Sequence, residues 1–192
     1  MARLFGILVT IFTLSACSSG VSNTGAGAAG TDCSSVDLVC TASIDLDSTS
    51  IDVLNDPEEG EEEAATLPAS DSGTMNITIN DPLGRFAQVF QGVTFETFDV
   101  SYESGQGGAP NLGTRRVTGT LTIILSNNTG TGTIDVPIAD QVTKQQFRDQ
   151  ASLSTVYPYV VTIRATGRDI ATNNVVVVVA RTNIEIGNFV DG

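Results

Sequence analysis

Residues 157–189 read YPYVVTIRATGRDIATNNVVVVVARTNIEIGNF. Tyr159, Val161, Ile163 and Ala165 alternate with polar or smaller neighbours, the period-two pattern of a strand with one buried face. The polar stretch GRDIATNN breaks the pattern with turn-forming Gly, Asp and Asn. A second run then extends from Val175 to Ile186. Its five consecutive valines are β-branched and stiff at χ1, which favours a strand over a helix. Val175, Val177 and Val179 share one face, while Val176, Val178 and Ala180 share the other. This predicts burial on both faces, in a central or sandwiched strand.

The same pattern repeats upstream. TMNITIN (74–80) alternates Met75, Ile77 and Ile79 against polar residues, and DPLGR turns. FAQVFQGVTFETFDVSYES (86–104) carries Phe98, Val100 and Tyr102 in alternation. RRVTGTLTIILSN (115–127) alternates Val117, Gly119, Leu121, Ile123 and Leu125, and TIDVPI follows a Gly/Asn turn. ADQVTKQQFRDQAS (139–152) is the one helical segment, with Asp140 as its cap. Val142 and Phe147 are its few apolar positions, which predicts a short surface helix with Lys144 exposed.

About seven short strands in residues 73–192 predict an all-β fold, an antiparallel β-sandwich with one short surface helix. The pattern, with Gly167-Arg168-Asp169 between the last two strands, resembles bacterial immunoglobulin-like or fibronectin type III-like domains. It departs from antibody domains in having no Trp and no inter-sheet cysteine pair. The resemblance implies a scaffold with loops at both ends rather than an activity.

Charge divides the chain. The 192 residues carry a formal net charge of −13. Residues 18–72 hold twelve acids and no base, whereas residues 73–192 hold ten acids and eight bases. A near-neutral domain thus follows an acidic lead-in. Phosphate recognition needs clustered Lys and Arg, so nucleic acid is excluded as a partner.

The first residues, MARLFGILVTIFTLSAC, place Arg3 before an apolar run from Leu4 to Leu14. Eleven residues are too short for a bilayer span, which needs about 20. They read as a secretory signal peptide over residues 1–16. The closing Leu14-Ser15-Ala16-Cys17 resembles the lipobox of bacterial lipoproteins. That resemblance implies cleavage before Cys17 and a lipidated Cys17, carrying diacylglycerol on sulfur and an acyl chain such as palmitate on its amine. The partner is then a membrane, reached through the lipid, and the location is the cell envelope. In a Gram-negative host, Ser18 after the cysteine implies the outer membrane.

With Cys17 lipidated, Cys33 and Cys40 remain as a natural disulfide in an oxidising compartment. Residues 17–72 read as a flexible acidic tether, rich in Gly and Ser and then in Asp and Glu, within which the weak alternation of Ile44, Leu46, Ile51, Val53 and Leu54 allows one short strand. Asp45 and Asp47 suggest calcium only faintly, because the D-x-[DN]-x-[DN]-G loop and its closing Glu are missing.

No catalytic constellation is visible. His is absent, which removes Ser-His-Asp and Cys-His arrangements. The carboxylate pairs Glu96/Asp99 and Asp135/Asp140 read as solvated surface groups. Arg164, Arg168 and Asp169 read as a local turn cluster. Phe86, Phe90, Phe95, Phe98 and Tyr102 read as core. No metal site and no cofactor are expected. Tyr157 and Tyr159, flanking Pro158, are the candidate exposed contact patch. The expected function is a lipid-anchored, non-catalytic β-sandwich, an interaction or structural module with an unidentified envelope protein partner. The alternative is a glycan- or calcium-binding surface module.

Overall fold

A computed structural model describes residues 32–33, 38–54, 67–82, 84, 91–152 and 154–189. Cys17, the acidic run 55–66, Phe86 and Phe90 lie outside the described residues. Among the described residues, nine strands and one helix follow in chain order. They are β1 (Asp32–Cys33), β2 (Val39–Leu46), β3 (Ser50–Asp52), β4 (Asp71–Asn80), β5 (Gly92–Glu103), β6 (Thr114–Ile124), β7 (Thr129–Ala139), α1 (Gln141–Gln150), β8 (Tyr157–Asp169) and β9 (Val175–Gly187).

The strands form two sheets. The larger runs β1-β9-β8-β5-β6, with β3 also paired to β9, and the smaller runs β2-β4-β7. All pairs are antiparallel except β3 with β9. This is the expected all-β, sandwich-like architecture. The inner faces carry the alternating residues: Met75, Ile77 and Ile79 on β4, Phe98, Val100 and Tyr102 on β5, and Tyr159, Val161, Ile163 and Ala165 on β8, all buried. Each large apolar side chain withdrawn from water contributes about 1.5–3 kcal/mol.

The fold starts earlier than residue 73. Cys40, Ala42 and Ile44 of β2 are at most 3 % exposed, and Ile51 and Val53 lie in the same core. β2 pairs with β4 over eight residues, from Val39↔Asn80 to Leu46↔Gly73. Residues expected to be tether are therefore the third strand of the small sheet and part of the edge of the large one. The reason is physical. The weak alternation of Ile44, Leu46, Ile51 and Val53 looks insufficient alone, but it completes a face that β4 and β9 leave open.

The valine run is also corrected. Val176, Val178 and Ala180 are fully buried; on the opposite face Val177 is buried at 8 %, Val179 is half-buried and Val175 is 49 % exposed, so the second face is covered only in part. β9 is interior in a different sense: it pairs with β8 on one edge and with β1 and β3 on the other.

Local chemistry sets the turns. Asn127 and Asn128 take left-handed φ of 51° and 68° between β6 and β7, a conformation that Asn tolerates and the primed hairpin turns require. After a brief hairpin at Ser126↔Thr129, the two strands part into different sheets. Helix α1 follows β7. Asp140 caps it by accepting from Thr143 N at 2.7 Å, and the helix ends where Ala151 N donates to Phe147 O.

Candidate functional site

The expected contact patch does not exist as an exposed surface. Tyr157 is 7 % exposed and Tyr159 2 %. Tyr157 packs edge-on against Phe147 of α1, with centroids 5.8 Å apart and planes at 71°. Tyr159 donates its hydroxyl to Pro110 O at 2.8 Å. Alternation on β8 turns both rings inward and leaves Pro158 between them exposed. The two tyrosines are core residues that anchor the helix and the 104–113 loop.

Lys144 also departs from expectation. It is 1 % exposed, and Nζ donates to Ala69 O at 2.5 Å and lies 2.7 Å from the Asp71 carboxylate. On the helix it shares the buried face with Thr143 and Phe147. A buried ammonium is costly unless paired, and here a carboxylate and a carbonyl meet it. Asp71 falls in the stretch that reads as tether, so the pair is invisible from the sequence. The i, i+3 spacing of Lys144 and Phe147 is the available signal.

Beside it, Arg115 reaches Asp140 through two contacts of 2.5 and 2.7 Å. Burial raises the Asp140 pKa, but Arg115 and the Thr143 bonds outweigh it and hold the carboxyl below its usual range. Tyr102 donates to Ile138 O at 2.5 Å, and burial pushes its hydroxyl up to about 12. These contacts tie β5 and β6 to the end of β7 and the start of α1. The Thr143 hydroxyl also donates to Asp140 Oδ1 at 2.7 Å, so the carboxylate is shared between the helix start and Arg115.

Asp135, Asp45 and Asp99 are each bound to one neighbouring side chain. Asp135 accepts from Thr74 Oγ1 and Asp45 from Asn76 Nδ2, each at 2.7 Å. Asp99 is bound by Arg116 at 2.7 and 3.2 Å, which holds its pKa down. Glu96 is exposed. Neither Glu96/Asp99 nor Asp135/Asp140 is a joined carboxylate pair. Among the described residues no group of three His, Cys, Asp or Glu could hold a metal ion. Arg168 and Asp169 serve the β8–β9 turn: Arg168 donates to Asn173 O, and Asp169 accepts from Ala171 N and Thr172 N. Arg164 lies instead near Asp99 on the sheet face.

What the fold presents to solvent is two contrasting faces. On the small sheet, Thr41, Thr78 and Thr131 align across three strands, as do Ser43, Asn76 and Thr133, then Asp45, Thr74 and Asp135. That face is short hydroxyls and amides with acids only. On the large sheet, Arg116, Asp99 and Arg164 align across β6, β5 and β8, flanked by Thr97, Thr118 and Thr166. Both faces present hydrogen-bonding side chains in rows across neighbouring strands.

Cys40 is 1 % exposed on β2. The backbone of Cys33 pairs with Val178 in β1, and its side chain lies outside the described residues. No helix among those residues is long and apolar enough to cross a membrane. No family model matches this chain, and no curated protein and no solved structure is significantly similar to it.

Proposed function

We propose that the protein is a lipid-anchored lipoprotein of the cell envelope whose β-sandwich is a non-catalytic interaction or structural module. The observation that carries this reading is Leu14-Ser15-Ala16-Cys17 after a short apolar segment. The absence of His from the sequence supports the non-catalytic part. Because β1 starts at Asp32, only residues 18–31 separate Cys17 from the sandwich. Even fully extended, that chain reaches no farther than about 50 Å, so an anchored sandwich stays near the membrane surface. A Cys17→Ala variant tests the anchor. The native protein should partition with membranes and lose the label of a fatty-acid probe on substitution. A variant that stayed membrane-bound and acylated would refute it.

A Cys33–Cys40 disulfide belongs to this reading. Its support is that Cys40 is buried and that β1, the strand of Cys33, lies against β2. Since β1 belongs to the large sheet and β2 to the small one, the bond would staple the two sheets beside the anchor.

The hydroxyl and amide grid on the small sheet favours one second reading, a glycan-binding face. Titration with envelope polysaccharides tests it, and absence of heat or of displacement would remove it.

A further inference from the structure

The end of the sandwich where β5 begins holds a small cavity. Leu38, Gln91, Gly92, Leu125, Asp169 and Ala171 line it, and it leaves about 10 Å³ for the centre of a water molecule, the size of one water site. Four segments meet there: the residue before β2, the entry to β5, the residue after β6 and the β8–β9 turn. Backbone bonds already join three of them. Gln91 O accepts from Leu125 N and Gly92 O from Ile170 N, each at 2.9 Å. Gly92 lets the chain enter β5 this close to β6, because a Cβ there would strike Ile123 O.

Gln91 stands out among these residues. Its Nε2 is buried and bonds no acceptor of the protein, although buried amides almost always find one. Turning the amide over would not cure this, since Oε1 in the same place needs a donor instead. Asp169 lines the same cavity. Its Oδ1 is committed to the turn, accepting from Ala171 N at 2.7 Å and Thr172 N at 3.0 Å. Its Oδ2 takes no hydrogen bond from a described residue. The cavity therefore brings a donor without an acceptor to the same space as an acceptor without a donor.

We propose that this cavity binds one ordered water, which accepts a hydrogen bond from Gln91 Nε2 and donates one to Asp169 Oδ2. Water fits the chemistry because it accepts and donates at once. A metal cation would face the hydrogens of the amide, and an anion would face the carboxylate. The size of the cavity admits nothing larger than one water. The bridge links the entry of β5 to the β8–β9 turn through side chains, beside the backbone bond of Ile170 N to Gly92 O. It also explains a glutamine at a position walled by Leu38 and Leu125, where an apolar residue would otherwise serve.

Two measurements on the full chain test this. A crystal structure fine enough to place waters should show one within about 3.2 Å of both the Gln91 amide and Asp169 Oδ2. The second is the urea midpoint of Gln91→Met, which keeps the side-chain length and removes the amide. If the amide is satisfied through water, the variant loses the bridge and its midpoint should fall below that of wild type. An amide with no partner behaves in the opposite way, because removing an unsatisfied buried donor leaves the midpoint unchanged or raises it. A cavity that is dry in the wild-type crystal, a water out of reach of Gln91, or a Gln91→Met midpoint at or above wild type would overturn the proposal. The wild-type crystal decides the matter even where the variant does not fold.

Discussion

Lys144 Nζ lies 2.7 Å from the Asp71 carboxylate, with the lysine side chain 1 % and the aspartate 37 % exposed. The only lysine in the chain thus pins the start of β4 to the helix. Losing one partner of a buried pair leaves an uncompensated charge, while replacing the charge by an apolar side chain of similar volume is far milder. Asp71→Ala should cost about 2 kcal/mol, reduced from the fully buried case by the partial exposure of the carboxylate. Lys144→Met should cost less than Asp71→Ala. Urea midpoints of the two variants check the order, and the reverse order would show that the ion pair itself stabilises.

Tyr102 and Ile138 make a second buried link. Tyr102→Phe removes the donor to Ile138 O and should cost about 1–2 kcal/mol. The hydroxyl, raised to about 12 by burial, stays protonated in the folded chain above the pH at which it ionises when unfolded. Its contribution is therefore complete below about pH 10 and is lost as pH rises toward 12. Absorbance titration at alkaline pH should show Tyr102 and Tyr159, also near 12, ionising late. Ionisation of all three tyrosines near pH 10 in the folded protein would refute their burial.

Asp140 caps α1 and holds Arg115. Asp140→Ala should destabilise by about 1–2 kcal/mol at neutral pH. Because the folded pKa is depressed, the stabilisation is present above the unfolded value near 3.9 and fades as pH falls through the lower folded value. The gap between wild type and variant in denaturant midpoint should narrow in acid. A gap independent of pH would show that the carboxylate charge is not what matters.

Gly167 of β8 lies where a Cβ would strike Thr94 O and Phe95, beside the register shift of β5. Gly167→Ala should cost about 1–3 kcal/mol by overpacking. Thermal unfolding checks it, and an unchanged midpoint would show that the strands part freely there.

A chain starting at Gly73 should not fold, whereas one starting at Asp32 should. The shorter chain lacks Ile44, Ile51 and Val53, each at most 1 % exposed, and strips β4 and β9 of pairing partners. Far-UV circular dichroism with a cooperative melt distinguishes the two.

Val161, Ile163 and Ala165 needed no tertiary information, since alternation alone fixes which face of a strand is apolar. The same holds for Met75, Ile77, Ile79 and the Asp140 cap, all of which depend on neighbours within a few residues. Periodicity, turn chemistry and the cap therefore determined an all-β sandwich with one short helix. The resemblance of Leu14-Ser15-Ala16-Cys17 to a lipobox is likewise local, carried by four adjacent residues. The tertiary structure decided what depends on partners distant in sequence. It drew residues 39–54 into the sheets, because β4 and β9 supply the edges on which that weakly patterned segment pairs. It turned Tyr157 and Tyr159 inward, because Phe147 and Pro110 wait beneath them. It buried Lys144, because Asp71 and Ala69, more than seventy residues upstream, offer an acceptor pair that a helical wheel cannot show.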